Sequence, residues 1–167
     1  GELAPFAGAD TAEGDGFWIE GAARVDLPAL LAAARARWRA RGALRETAVV
    51  DLAAEAGRYD LVIDCAGLAT VRGGAFGFVP WEFSKGEMLE IAVAGLAPDV
   101  IFNCRHWVLP VGPGAAWVGA THEPGRADSA PTAAGRATIE SSLGTLLAGR
   151  AYTVTGQRAG VRVNLPD

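Results

Sequence analysis

The fold of this chain is decided by residues 103–123, which run Asn103-Cys-Arg-His-Trp-Val-Leu-Pro-Val-Gly-Pro-Gly-Ala-Ala-Trp-Val-Gly-Ala-Thr-His-Glu123. Two apolar runs, 106–111 and 115–121, flank a Gly-Pro-Gly tip. Glycine at such a tip supplies the positive φ that a tight reversal needs. The pattern therefore predicts a β-hairpin. Because this segment holds both histidines and two of the five tryptophans, a ligand site would start here.

The segments around the hairpin predict an α+β fold with a largely antiparallel sheet and helices packed on it. Residues 87–93 alternate in polarity, with Leu89, Ile91 and Val93 on one face, which is typical of a half-buried strand. Pro131 near a first turn, followed by apolar residues at helical spacing, predicts a later helix. The predicted ranges are 131–148 for that helix and 152–155 and 157–163 for two closing strands.

The first part of the chain predicts a different environment. Asp26 as a cap and Pro28 in the first turn predict a helix over about 27–41. The continuous apolar run at 59–67 is typical of the buried middle of a parallel sheet and predicts a strand over about 59–66. We place the boundary between the two parts after residue 71, so the predicted domains are 1–71 and 72–167.

Composition narrows the function classes. Half of the 167 residues are apolar, which is enough to form a hydrophobic core. The net charge of -4 gives no positive electrostatic field that would attract nucleic acid or anionic lipid. We therefore expect no nucleic-acid or membrane partner and a cytoplasmic location. Cys65 and Cys104 lack a paired spacing, so we interpret both as buried free thiols. Two histidines near opposite ends of a hairpin are more often packing or solvent-facing residues than ligands, and we predict no metal site.

Arg162 is the charge that needs an explanation, because it falls inside a small, apolar strand. An arginine at such a position must form an ion pair or hydrogen bonds, or keep its guanidinium partly exposed to water. One alternative is a salt bridge to a local carboxylate, which is slightly favoured. The other is a fork of N–H donors that binds a substrate carboxylate, a role that guanidinium geometry suits better than lysine. Periodicity alone does not decide between them.

Motifs across nearly the whole chain carry a family resemblance. They are Cys65-Ala66-Gly67, Lys85-Gly86-Glu87, Trp107-Val108-Leu109-Pro110, Val118-Gly119-Ala120-Thr121 and Gly160-Val161-Arg162. In this order and spacing the sequence resembles the flavin-dependent oxidoreductases of the D-amino-acid oxidase and glycine oxidase superfamily. The resemblance implies a flavin-binding α/β domain, of which the first part would be a remnant, and a substrate-binding domain whose antiparallel sheet covers the flavin.

The same resemblance implies a reaction and a set of site residues. The intact protein would use FAD to oxidise a small amine or amino acid, by hydride transfer to the flavin and hydrolysis of the imine. Arg162 matches the arginine that pairs with the substrate carboxylate, and Trp107 matches a position over the substrate. His106 would be a further substrate contact or a surface residue, and Ala66 and Gly67 would lie near the cofactor. Relatives commonly follow the arginine with proline, where this chain has Val163.

Two segments that hold FAD in the family have no counterpart in the sequence. A Gly-x-Gly-x-x-Gly turn is expected before residue 1, and a second glycine-rich segment after residue 167. We therefore expect a middle portion that does not retain FAD and is inactive alone. Surface left bare by the missing flavin domain would allow self-association. The alternative is a non-enzymatic module that binds a ligand or a protein through the aromatic loop 76–83 and the hairpin.

Overall fold

The chain forms two compact units, Gly1–Val50 and Asp51–Asp167, in a computed structural model that describes residues 19–48, 51–72, 74 and 76–166. The observed division therefore falls before residue 51, whereas the sequence places it after residue 71. The assignment of residues 1–71 to a flavin side stays a prediction.

The first unit contains helix α1, Leu27–Ala40, against a predicted range of about 27–41. Its start follows from local chemistry, since Asp26 Oδ1 accepts a hydrogen bond from the Ala29 N–H at 3.0 Å and Pro28 lies in the first turn. No residue of α1 is buried. Its apolar side chains are exposed instead, namely Leu27, Leu30, Leu31 and Trp38.

The second unit has one sheet with helices, and every strand pairing in its described part is antiparallel. This is the α+β class that the sequence predicts. The helices are α2 (Leu52–Ala56), α3 (Leu68–Arg72) and α4 (Ala133–Leu146). The strands are β1 (Glu82–Val93), β2 (Phe102–Cys104), β3 (His106–Gly112), β4 (Ala115–Gly119), β5 (Glu123–Pro124) and β6 (Tyr152–Asn164).

Strand β1 is the centre of the sheet. One of its edges pairs with β6 over its whole length. Its other edge pairs with β4 from Met88 to Ala92 and with β5 at Ser84 and Lys85. Strand β3 lies beyond β4, and β2 lies beyond β3. The predicted hairpin is confirmed as the β3–β4 pair, and the hairpin strands lead directly to the centre of the sheet.

The predicted closing strands are joined into the single strand β6. Glu90 of β1 pairs with Gly156, but the next residue, Ile91, pairs with Val154. Thr155 is therefore an extra residue on β6, and this bulge lets the strand continue past the irregularity. Two short predicted strands become one strand of 13 residues because both segments pair with the same edge of β1.

The core lies between the sheet and α4. Leu89, Ile91 and Val93 of β1 are buried on one face, as their alternation predicts. Side chains of β3, β4, α4 and the C-cap of α4 complete this core, namely Val108, Ala116, Val118, Ile139, Leu143 and Leu147. Helix α4 approaches β1 closely at Gly135, where an added Cβ would lie 2.5 Å from Glu87 Cδ. The helix therefore closes one face of the sheet.

The predicted strand over 59–66 is not formed. The segment has no helix or strand assignment, and Leu61 and Ile63 are each 76% exposed. A strand of a parallel sheet needs neighbours on both edges for its backbone groups and helices over its apolar side chains. The described residues offer no neighbouring strand to this segment, so its apolar sequence alone does not produce a strand.

The close approach at Gly135 gives a paired test. We expect Gly135→Ala to lower the free energy of unfolding by about 1–3 kcal/mol, because the methyl group meets the buried Glu87 carboxylate. Gly144→Ala on the same helix is the matched control, since its Cβ would meet nothing within 4 Å. That substitution should stabilise the protein by up to about 1 kcal/mol. Urea unfolding followed by circular dichroism measures both, and equal effects would contradict the close approach.

Candidate functional site

The Lys85-Gly86-Glu87 motif brings two buried charges to the start of α4. The Lys85 and Glu87 side chains are fully buried, and Lys85 Nζ lies 3.2 Å from Glu87 Oε1. The Thr132 N–H and hydroxyl donate to Oε2 and Oε1 of Glu87, each at 2.8 Å. Gln157 Nε2 donates to Glu87 Oε2 at 2.7 Å. Because Thr132 caps α4, the Glu87 carboxylate fixes the helix on the sheet.

Asp128, whose side chain is partly exposed, completes the cluster of charges around the buried Lys85. Lys85 Nζ donates to Asp128 Oδ1 at 2.9 Å and to the Ala130 carbonyl at 2.5 Å. The hydrogen bonds from Lys85 and Arg126 lower the pKa of Asp128 to about 2, and the bond to Asp128 raises the pKa of Lys85. Burial acts to raise the pKa of Glu87, but its donors outweigh that effect and the pKa is lowered. The motif therefore positions α4.

His106 belongs to the same closed side of the sheet. It is 5% exposed, and its Nδ1 lies 2.7 Å from the Ser142 hydroxyl of α4. Burial, and next the charge of Arg105, lower the pKa of its imidazole. Successive side chains of a strand point to opposite faces of the sheet, so the His106 and Trp107 side chains lie on different faces. The structure does not bring His106 together with Trp107 and Arg162, and His106 is not a surface residue.

The opposite side of the sheet, which we call the open face, carries Trp107 and Arg162. The pairing places its residues in three rows, which are Trp107, Gly119, Met88 and Arg158, then Gly86 and Gly160, then Ser84 and Arg162. The Trp107 indole covers Gly119, where an added Cβ would lie 2.9 Å from Trp107 Cζ2. A Cβ added at Gly160 would meet nothing within 4 Å. Gly160 is therefore bare backbone between larger side chains, whereas a Cβ added at Gly86 would lie 3.2 Å from the Thr121 carbonyl oxygen, so that position is covered.

The two arginines of this face differ in their partners. Arg158 Nε lies 2.5 Å from Glu90 Oε1, an ion pair without a well-aligned hydrogen bond, and its guanidinium lies 5.7 Å from the centroid of Trp117. Arg162 is exposed and makes no hydrogen bond or salt bridge with another described residue. Of the two alternatives for Arg162, the local salt bridge is thus not present in the described part of the chain. The guanidinium is available to an external anion.

Trp107 and Arg162 lie at opposite corners of the open face. They are three strands and four residues apart, and strand spacings of about 4.8 Å and rises of about 3.4 Å give roughly 20 Å between their Cα atoms. Each side chain reaches part of this distance. A ligand in contact with both would be elongated, with an anionic end at Arg162 and an apolar end near Met88 and Trp107.

The turn at Ala66 and Gly67 has few free hydrogen-bond donors for the phosphates of a dinucleotide. The Ala66 N–H donates to Asp64 Oδ1 at 2.9 Å, and the Thr70 hydroxyl donates to the same oxygen at 2.7 Å. These bonds, that of Thr70 first, lower the pKa of Asp64. A charged carboxylate on the backbone donor would repel a pyrophosphate, and the helix that follows has only five residues. These residues do not fit the pyrophosphate of FAD, and their place near a flavin stays a prediction.

Other site chemistries find no support in the described part of the chain. No group of three or more metal-ligating side chains occurs there. None of the helices there has the length and apolar character needed to span a bilayer. The interpretation of Cys65 and Cys104 as buried thiols is wrong, since both are exposed. Cys65 lies in the unpaired 59–66 segment, and Cys104 lies on the short strand β2 at the end of the sheet.

Comparison with known proteins gives a partial likeness. No family model and no curated protein matches the chain. A glycine oxidase structure from Geobacillus kaustophilus aligns at 19% identity and a TM-score of 0.47, over 60% of this chain and 29% of the oxidase. One from Bacillus cereus ATCC 14579 aligns at 20% identity and a TM-score of 0.41, over 50% and 23%. The chain thus spans less than a third of either oxidase, and these values transfer no activity, substrate or cofactor to it.

The low pKa of Asp128 predicts how this protein responds to acid. A depressed carboxyl pKa contributes stability that is complete above the unfolded value near 3.8 and is lost as the pH falls through about 2. We expect Asp128→Asn to destabilise the protein at neutral pH and to flatten the loss of stability between about pH 4 and 2. Asp99→Asn is the control, because Asp99 is exposed and has no ion pair with a described residue. Thermal unfolding between pH 2 and 7 measures both variants. Identical dependence of stability on pH in Asp128→Asn and the parent protein would contradict a stabilising role of the Asp128 carboxylate.

Proposed function

We propose that this chain supplies the substrate-binding part of a flavin-dependent oxidoreductase that deaminates a small amine or amino acid. One observation carries the proposal. The guanidinium of Arg162 has no partner among the described residues and stands on the open face beside the bare backbone of Gly160. The order of motifs along the sequence supports it, because Arg162 falls where the resemblance expects the carboxylate-binding arginine.

Binding would use the three rows of the open face in turn. Arg162 would hold the substrate carboxylate with two parallel N–H donors. The absence of a side chain at Gly160, where an added Cβ would meet nothing within 4 Å, lets the middle of a substrate approach the sheet closely. Met88 and the Trp107 indole then offer an apolar surface to the far end. This arrangement favours an amino acid with a long apolar side chain or N-substituent over the smallest amino acids.

The oxidation itself would require a flavin, and the described turn at Ala66 and Gly67 does not fit its pyrophosphate. The Asp64 carboxylate occupies the backbone donor at the only turn that the sequence assigned to the cofactor. We therefore expect the purified chain to release FAD on gel filtration, with no flavin absorbance left in the protein peak. Retained flavin would overturn this part of the proposal, because it would require a cofactor site on the chain itself.

Substitution of the two arginines tests the carboxylate site in the longer protein that contains this chain. We expect Arg162→Gln to raise the KM for an amino-acid substrate by about 10- to 100-fold, with a smaller change in kcat, because a charged hydrogen-bonded contact is lost. Arg158→Gln is the matched control on the same strand, since its charge is already paired with Glu90. Steady-state kinetics measures both variants, and equal KM values for Arg162→Gln and the parent would remove Arg162 from the site.

The floor of the open face provides a second variant. Gly160→Leu should leave the unfolding curve almost unchanged, because its Cβ would enter open space. The side chain would nevertheless fill the volume between Arg162 and Met88, and we expect it to raise KM at least tenfold, which corresponds to about 1.4 kcal/mol. Full activity in this variant would place the substrate elsewhere.

A non-enzymatic function remains favoured by one feature, the aromatic loop 76–83. The Phe78 side chain is 84% exposed, and its ring lies 6.3 Å from that of Phe76. Trp81 Nε1 donates to the Phe76 carbonyl at 3.0 Å, which holds the loop in shape. A protein-binding module would lose partner binding in Phe78→Ser and keep it in Arg162→Gln. The oxidoreductase would show the reverse dependence.

A further inference from the structure

A cavity lies on the closed side of the sheet, away from the open face. It has a volume of about 470 Å³ and is lined by Arg105, His106, Ala137, Thr138 and Ser141. Cavities of this size hold small molecules in many proteins. One wall is the reversal between β2 and β3, and the other is the middle of α4. None of the residues of the proposed substrate site belongs to it.

The hydrogen bonds of His106 determine which nitrogen faces a ligand. The Ser142 hydroxyl lies 2.9 Å from the Ile139 carbonyl and 2.7 Å from His106 Nδ1. A serine hydroxyl has one proton, so both bonds form together only if Ser142 donates to Ile139 and Nδ1 donates to Ser142. Nε2 then carries a lone pair. It has no partner among the described residues and is not enclosed by them, and His106 lines the cavity.

The remaining walls supply one cation and two more acceptors. Arg105 is exposed and makes no hydrogen bond or salt bridge with a described residue. Its φ of 61° holds it in the left-handed region, which a non-glycine residue adopts at a cost. The Thr138 and Ser141 hydroxyls donate to the Ala134 and Thr138 carbonyls at 2.9 and 2.7 Å. Their protons are therefore used, and their oxygens are left to accept.

We propose that this cavity is a binding site for a free zwitterionic α-amino acid, separate from the substrate site of the open face. The carboxylate binds the Arg105 guanidinium. The ammonium group, with its three donors, bonds to the lone pairs of His106 Nε2, Thr138 and Ser141. A simple anion would leave these acceptors without donors, and a simple cation would be repelled by Arg105. A molecule that carries an ammonium and a carboxylate on the same carbon complements the whole lining.

Nuclear magnetic resonance of the histidine rings tests this site directly, because the chain has only two histidines. We expect L-alanine, added to the purified chain, to shift the ring resonances of His106 in a saturable way and to leave those of the exposed His122 unchanged. Propionate and ethylamine, which each carry one of the two charges, should bind at least about tenfold more weakly. No saturable shift of the His106 ring, or equal binding of all three probes, would overturn the proposal.

Arg105→Gly is the decisive variant. Glycine adopts a φ of 61° without strain, so the fold should be kept while L-alanine binding weakens at least about tenfold. Arg105→Lys restores the positive charge and should restore part of the binding. Arg162→Gln should leave the His106 shifts unchanged, because it lies on the other face. Unaltered L-alanine binding in Arg105→Gly would overturn the proposed cavity site. Loss of the His106 shifts in Arg162→Gln would also overturn it, and would instead support an amino-acid site on the open face.

Discussion

The structure depends on the burial of the Glu87 carboxylate at the N-terminus of α4. A buried charge is tolerated only when donors surround it, and here Lys85, Thr132 and Gln157 supply them from three different parts of the chain. Because Thr132 is also the cap of α4, the helix can start at only one position on the sheet. The apolar residues that follow on β1 then meet Ile139 and Leu143 of the helix. The ionic cluster sets the register, and the core follows from it.

This constraint gives the sheet two chemically different faces. The face under α4 holds the core and, near its edge, the cavity beside His106. The opposite face carries Gly86, Gly119 and Gly160, the side chains of Trp107 and Trp117, and Arg162, which has no partner among the described residues. The alternation of a strand makes this separation strict, since neighbouring residues such as His106 and Trp107 must point in opposite directions. A ligand bound beside His106 and a ligand bound beside Trp107 would therefore lie on opposite faces of β3 and would not touch each other.

The sequence predicted those features that arise from neighbours along the chain. The hairpin and the alternation of β1 follow from turn chemistry and from a period of two, and both are present. The prediction of a strand over 59–66 is wrong, because a buried strand forms only beside neighbouring strands. The sequence of the segment itself does not show whether such neighbours exist. The same period could have predicted the positions of His106, opposite to Trp107, and of Lys85 and Glu87, on the face of Leu89. The positive φ of Arg105 has no such signal, because no residue type there demands it.

The two arginines of the proposed sites, which have no partner among the described residues, link the structure to the proposed function. The chain has 19 acidic residues against 15 basic ones, so carboxylates are available to pair its cations. Arg158, Arg126 and Arg136 do form such pairs, each with a nearby glutamate or aspartate. Arg105 and Arg162 form no such pair with any described residue, although each stands at a place where the surrounding groups are polar or bare backbone. An unpaired guanidinium beside fixed acceptors or an uncovered strand keeps its donors free for an anion, and the fold provides one such position on each face of the sheet.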